Sequence, residues 1–420
     1  MVRFIKGDPS PIKNFGFNPR TIHYYNEIVR FWNKINFIRS RVDLSPKTES
    51  EIDLTKKIYV VYRIFWEKAS NQTILRELED IDRSFLKNIK NFSWIKALAG
   101  KTEKEKLSIC ESIPTFMIDC LIPVMKYGFL KDNLKYMNGS SNDTIAYLRL
   151  NTLNSNFTLE DLFSLVKKEL KNENIKYKED SHIPFLINIP MSMKSKVIRN
   201  DLYQEGYILF QDKASIAVIQ ALSPQVTDFI CDLTAAPGIK TSLMAQNMNN
   251  SGRIIAGDFK YNRLKVMKEL LQRLNVSNTY IVNIDSIKMP IRFENCFDRI
   301  LLDAPCTGNG TLLTNPELKR RQNSRFLHQN MLLQEKLFEK ALKLLKQDGV
   351  LVYSTCSLYP EEGEHLISKF INRLEPLELP DWFSPSYTIN NSILPGTGRL
   401  FPSIHHTQGF FIGKFKKKEI

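Results

Sequence analysis

Cys306 in Asp303-Ala304-Pro305-Cys306 and Cys356 in Ser354-Thr355-Cys356-Ser357 each follow a short apolar run. The runs, residues 299–302 and 350–353, have the composition of buried strands in a parallel sheet. A thiol just past the carboxyl end of such a strand stands where open α/β sheets bind ligands. Two thiols placed that way on different strands point to covalent chemistry shared on one ligand. Redox exchange and cysteine proteolysis also use reactive thiols, but neither fits: there is no CxxC, and no histidine accompanies either motif. Which thiol attacks is left open by these residues alone.

The elements that must position them follow a strand–helix rhythm from about residue 227, the mark of a parallel sheet with crossover helices. Strands are expected at 229–233, 253–258, 279–284, 299–303 and 350–354, with an added terminal strand at 410–415. Helices are expected at 239–248, 260–274, 325–347 and 362–374. Between the first strand and its helix lies Asp232-Leu233-Thr234-Ala235-Ala236-Pro237-Gly238-Ile239-Lys240-Thr241. Small residues there let the backbone approach a ligand, and the helix start offers unpaired N–H groups, so a nucleotide-like ligand fits. GxGxxG is missing, and so is the first glycine of a P-loop. Asp258 ends the second strand about 20 residues past Gly238, an offset that suits ribose hydroxyls, although a helix cap is its other reading. Asp285 ends the third strand, as a turn residue or as an acceptor for a purine amino group.

Ahead of this region, residues 20–135 read as helices. Tyr25, Ile28, Trp32 and Ile35 keep a 3.6-residue period, as do Ile58, Val61, Tyr62 and Phe65, and Ile74, Leu78, Ile81, Phe85 and Ile89. Pro114 and Pro123 break the later helices. The turn formers of 138–143 read as a linker. A small α+β segment follows, with strands at 145–150, 185–189 and 207–210, a helix from Thr158 to about residue 170, and another at 213–222.

A chain of 420 residues exceeds one ordinary core. We expect an all-helical domain at 1–140, a small α+β subdomain at 141–226 and a catalytic domain at 227–420. The 26 Phe and 15 Tyr argue for globular folding over disorder. The six cysteines lack metal-ligand spacing, and a disulfide framework does not suit this size, so we expect no metal and a cytoplasmic setting. No apolar run approaches the roughly 20 residues that span a bilayer. The first nine residues lack the apolar core of a signal peptide. Net charge is +14, with 24 Lys/Arg against 16 Asp/Glu in residues 1–140 but 10 against 10 in 141–226. Such a front attracts phosphate polymers, though basic surfaces also serve solubility. Cys110, Cys120 and Cys231 read as core, Cys296 and the pair His405-His406 as loop residues, and 414–418 as a frayed basic end.

Taken in order, these motifs resemble the RNA (cytosine-5) methyltransferase family of the Sun/Nop/Fmu group. The resemblance rests on residues 232–241, Asp258 with Arg263, Asp285, Asp-Ala-Pro-Cys-Thr-Gly at 303–308 and Tyr-Ser-Thr-Cys-Ser at 353–357. Residues 148–153 and 210–215 resemble the family's small RNA-binding subdomain, and Gly409-Phe410-Phe411 its last catalytic motif. The helical front is similar to NusB-type RNA-binding domains, which points toward ribosomal RNA.

The resemblance implies a class I, Rossmann-like α/β methyltransferase fold with S-adenosyl-L-methionine as cofactor and ribosomal or transfer RNA as partner. We expect a monomer with no membrane association. The cofactor would be held by Thr234, Ala235, Ala236, Pro237, Gly238, Ile239, Lys240, Asp258, Arg263, Asp285 and Asp303. It further implies Cys356 as nucleophile, Cys306 in the release step, and Asp303 and Lys240 beside them. In class I methyltransferases the two thiol-bearing strands are neighbours, about 4.8 Å apart, so both thiols would face one base. Lys240 would supply positive charge to favour a thiolate, or be a solvated first-turn side chain. Three departures stand out: Ile239 replaces the usual second glycine and adds bulk near the methionine moiety, Thr234 stands where Cys is frequent, and Thr307 replaces Ser.

Overall fold

Side-chain caps divide the front of the chain into short helices. In the computed structural model, which describes residues 18–43, 50–139, 144–154 and 157–418, helices cover Pro19–Arg30, Trp32–Val42, Glu51–Phe65, Asn71–Glu77 and Arg83–Lys90. Further helices span Trp94–Leu98, Glu103–Cys110, Thr115–Leu121 and Tyr127–Met137. The stripe from Ile74 to Ile89 is therefore two helices, not one. Asp82 accepts a hydrogen bond from the Ser84 N–H, and that local cap ends one periodic run and starts the next. The Tyr25–Ile35 pattern likewise spans two helices, which meet at Phe31. The apolar faces still converge, with Ile35, Ile38, Ile58, Val61 and Ile74 fully buried. Most of the expected linker at 138–143 and the first nine residues lie outside the described residues.

The chain divides into two compact units, Met1–Asn138 with Thr311–Phe326, and Gly139–Gly310 with Leu327–Ile420. The first unit thus includes a segment drawn from well beyond it in sequence. Lys319 of that segment is buried and donates to the Arg30 carbonyl and to Asn138 Oδ1 at 2.6 Å, while Arg30 donates to the Leu313 carbonyl at 3.0 Å. Burial pushes the Lys319 ammonium well below its ordinary value.

In the second unit, β1 (Ile145–Leu150), β2 (Lys178–Glu179), β3 (Leu186–Pro190) and β4 (Ile208–Phe210) form an antiparallel sheet in the order β2-β3-β1-β4. Helix Leu159–Asn172, started by a Thr158–Asp161 capping box, lays Leu162, Val166 and Leu170 in the core that also holds Leu148 and Ile187.

The larger sheet contains β5 (Phe229–Asp232), β6 (Arg253–Asp258), β7 (Thr279–Asn283), β8 (Phe297–Asp303) and β9 (Leu345–Thr355), all parallel. It continues with β10 (Leu374–Pro376), β11 (Ser384–Pro385) and, beyond a small separate hairpin of β12 (Thr388–Ile389) and β13 (Ser392–Ile393), β14 (Thr397–Leu400) and β15 (Phe410–Lys417). The order β11-β14-β15-β9-β8-β5-β6-β7 reverses direction of travel between β5 and β8, the switch point where such sheets bind ligands.

Helix Ser324–Leu344 is followed at once by β9, so residues 345–347 are strand, not helix. The expected frayed end is an internal antiparallel strand: Lys414 pairs with Val352, and Phe411 and Phe415 on one face are fully buried. Cys231 is fully buried, and Cys110 and Cys120 are partly buried. His405 ends a one-turn helix, Pro402–His405, with His406 as its left-handed cap. Among the described residues no helix is long and apolar enough to cross a membrane, and no cluster of His, Cys, Asp and Glu could hold a metal.

Candidate active site

β8 and β9 are hydrogen-bonded neighbours with Asp303 level with Ser354, so both strands end at the same height. The Ala304 N–H donates to the Ser354 carbonyl at 2.8 Å, and the Gly310 N–H to the Cys356 carbonyl at 3.1 Å. The two turns that leave the strands are thereby tied together, and the Cys306 and Cys356 sulfurs lie 3.1 Å apart. Two thiolates cannot share that spacing, so one proton stays with the pair. The contact with Cys356 and then burial push the Cys306 thiol well above its ordinary range.

The turn after β5 supplies the opposing charge. Gly238 caps helix Ile239–Asn247 at φ +96°, and a Cβ there would lie 2.7 Å from Met267 Cγ, so both conformation and space favour glycine. Lys240, in the first turn of that helix, places Nζ 2.7 Å from Asp303 Oδ2 and 5.5 Å from the centre of the Phe410 ring. It is not a solvated side chain. Burial draws its ammonium down, but Asp303, Cys356 and Asp232 outweigh burial and hold it above its ordinary value. Asp303 is fixed from its other side as well: Oδ1 accepts from Ser354 Oγ at 2.7 Å, and its carbonyl accepts from Thr234 Oγ1 at 2.8 Å. Asp232 accepts from Thr241 Oγ1 at 2.7 Å, and burial raises it to about 7.

Of the residues expected to form the site, Thr234, Ala235, Ala236, Pro237, Ile239, Lys240 and Asp303 line a cleft of about 240 Å³, and neither Cys306 nor Cys356 is among its lining residues. Gly238, Asp258, Arg263 and Asp285 do not line it. Asp258 braces the turn instead, accepting from the Ala236 and Lys260 N–H groups and from Arg263, which also donates to the Ala236 carbonyl. Asp285 caps the turn Ser286–Lys288 through the Ile287 N–H.

The cleft also holds residues that sequence reasoning did not single out as a site. Asp212 caps helix Lys213–Leu222 and accepts from the Ala214 and Gln408 N–H groups at 3.0 and 3.3 Å and from Thr407 Oγ1 at 2.5 Å; burial raises its carboxyl. Phe210, Gln211, Ser215, Gln408 and Phe410 complete the lining. Their only signal was the run 210–215 and the Gly-Phe-Phe triplet, which lie about 200 residues apart in sequence and meet only in the fold. Arg149 is fully buried beneath, donating to Gln211 Oε1 at 2.5 Å, Ser242 Oγ at 2.9 Å and the Ile239 carbonyl at 3.3 Å.

The cleft suits a cationic methyl donor. The carboxyls of buried Asp232 and half-buried Asp212 and Asp303 line it, and the small residues of the turn let its backbone approach a ligand.

The family model described as 16S rRNA methyltransferase RsmB/F matches residues 219–416. The tRNA (cytosine(49)-C(5))-methyltransferase of Pyrococcus abyssi is 31% identical over 306 residues, covering 70% of this chain and 95% of that protein. The probable ribosomal RNA small subunit methyltransferase B of Synechocystis is 38% identical over 224 residues, 51% of this chain and 49% of its own length. The chain thus spans only about half of that relative, and 28% of a mouse 28S rRNA (cytosine-C(5))-methyltransferase. The crystal structure of PH0851 superposes with a TM-score of 0.75 at 26% identity, covering 96% of this chain and 92% of that one.

Proposed function

The chain belongs to the RsmB/F family of RNA cytosine-C5 methyltransferases, and on that premise we propose that it methylates carbon 5 of an unpaired cytosine in ribosomal or transfer RNA through a covalent cysteine adduct. One observation carries the reading: two thiols 3.1 Å apart follow the same sheet end as a lysine–aspartate pair that lines a cleft of about 240 Å³.

Carbon 5 of cytosine is a weak nucleophile until a thiolate adds to carbon 6. Cys356 makes that addition; Lys240, within electrostatic reach of its sulfur, favours the anion. Asp303, paired with Lys240, accepts from the exocyclic amino group and orients the ring. S-adenosyl-L-methionine, when bound, supplies an electrophilic methyl whose sulfur leaves with the bonding pair. Thr234, Ala235, Ala236, Pro237, Ile239 and Lys240 would hold it, with Asp258 and Arg263 bracing their turn. Cys306 sheds its resting proton to solvent and then takes the proton from carbon 5. That C–H electron pair restores the carbon 5–carbon 6 double bond, and Cys356 departs as thiolate. A stacked base cannot present its ring face to a thiolate, so the target is in a loop, junction or flipped state. The helical unit, where Lys/Arg most exceed Asp/Glu, contributes phosphate contacts.

The test is methyl transfer from labelled S-adenosylmethionine to matched ribosomal RNA, transfer RNA and DNA, followed by nucleoside analysis. 5-Methylcytidine in RNA is expected. Preferential labelling of DNA, or methyl at another atom, would overturn the reading.

A further inference from the structure

The reaction proposed above accounts for Lys240, Asp303 and both thiols, but not for Glu362. This side chain is fully buried on the β9-to-helix connection, and no step requires it. Burial raises its carboxyl against the hydrogen bonds it receives. A carboxylate in such a place is costly unless it holds something together.

Its partners lie on both thiol turns. Oε1 accepts from the Thr307 N–H at 2.9 Å and from Gln334 Nε2 at 3.0 Å, and Oε2 accepts from Thr307 Oγ1. Thr307 Oγ1 in turn lies 3.3 Å from Ser357 Oγ, which carries the contact to the second turn. Thr307 directly follows Cys306, and Ser357 directly follows Cys356. Gln334 also donates to the Pro305 carbonyl at 2.8 Å, so the peptides on both sides of Cys306 are engaged. The Glu362 carbonyl meanwhile accepts from Tyr353 Oη at 2.9 Å and Thr355 Oγ1 at 3.2 Å, on the strand that delivers Cys356. Asn309 closes the cage: its Nδ2 reaches Thr307 Oγ1 and Ser357 Oγ, and its Oδ1 accepts from the Leu358 N–H at 2.7 Å.

We propose that Glu362 is a positioning residue whose carboxylate joins the Cys306 turn to the Cys356 turn and so sets the spacing of the two thiols. This rests on the methyltransferase reading for its purpose, but the spacing itself can be tested without turnover. Deleting the carboxylate strands a buried Thr307 N–H and uncouples the turns. Glutamine keeps the acceptor for that N–H and offers the Thr307 hydroxyl a donor in place of an acceptor.

Two measurements on the full-length protein separate the possibilities. Dibromobimane becomes fluorescent when two thiols each displace one of its bromides, so bridging of Cys306 to Cys356, mapped by mass spectrometry, reports spacing in the absence of RNA. Glu362→Ala should lose at least about tenfold in bridging rate, and about 10²-fold in kcat, the order that a 1 Å misplacement costs. Its KM for S-adenosylmethionine should stay within about twofold. Glu362→Gln should recover most of both losses. Thr307→Val, which removes one hydroxyl and leaves the peptide N–H, gives a milder loss of bridging and serves if the alanine variant does not fold. Unchanged bridging in Glu362→Ala or in Thr307→Val, or a Glu362→Gln protein as impaired as the alanine variant, would overturn the proposal. If wild type and variants bridge as expected while no RNA is methylated, the functional reading fails and the spacing role stands.

Discussion

The two thiol turns share a residue type, a strand end and a hydrogen-bonded frame, yet their charges differ. The Cys356 side faces the ammonium of Lys240, whereas the Cys306 side backs onto the carboxylate of Glu362. An ammonium favours a thiolate and a carboxylate disfavours one. Equivalent positions on adjacent strands thus have unequal surroundings, and the contact with Cys356, burial and then Glu362 raise the Cys306 thiol. The difference teaches that the division of labour between nucleophile and proton carrier is imposed by the surroundings.

The most severe way to break this comparison is to delete one thiol at a time. Cys356→Ala should abolish methyl transfer and any covalent RNA adduct; normal turnover of that protein would reverse the assignment. Cys306→Ala should instead stall after addition, leaving protein–RNA adduct that survives denaturing electrophoresis, and a freely cycling variant would remove Cys306 from the release step. Lys240→Met tests the charge rather than the thiols. Removing this cation should slow adduct formation by roughly 10²-fold, the scale for deleting one preorganised electrostatic partner, as read in single-turnover rates. A milder probe leaves the protein unmutated: brief iodoacetamide treatment at neutral pH, mapped by mass spectrometry, should label Cys356 about tenfold ahead of Cys306. Equal labelling would mean that Lys240 and Glu362 do not discriminate.

The smallest effect concerns the floor of the cleft. Burial lifts Asp232 to about 7, above the ~3.9 of an unfolded aspartate. The folded protein therefore holds an extra proton between about pH 4 and pH 7. The stability this contributes is complete below the unfolded value and is lost as pH rises through the folded one. Asp232→Asn should flatten the dependence of the thermal midpoint on pH across that window. Parallel curves for variant and wild type would show Asp232 ionised throughout, held so by Lys240.

The second unit is legible in sequence because its signals are local. β6 (Arg253–Asp258) and β1 (Ile145–Leu150) have the expected bounds, and helix Lys213–Leu222 likewise. Each is a contiguous run between strong turn or cap residues. The front was read less well. Asp82 and Phe31 interrupt stripes whose period continues across the break, and periodicity does not register a change of axis. The basic tail was misjudged because its lysines alternate with buried Phe411 and Phe415, a strand pattern masked by charge.

Within the site, sequence placed Lys240, Asp303, Cys306 and Cys356 in separate motifs, and the fold brings them together. Gln408 and Glu362 carry no sequence signal because each is an ordinary polar residue near a helix start or turn, and only the cleft lining and, for Glu362, full burial distinguish them.

By itself, then, the order of residues determined the strand–helix rhythm, the cofactor turn and the presence of a thiol at two strand ends, since each depends on neighbours within a few positions. Tertiary structure alone decided that β8 and β9 end level, that Thr311–Phe326 joins the helical unit, and that opposite charges stand behind the two thiols. Those facts depend on sheet order and on which side chains lose water together, and both arise only between segments remote in the chain.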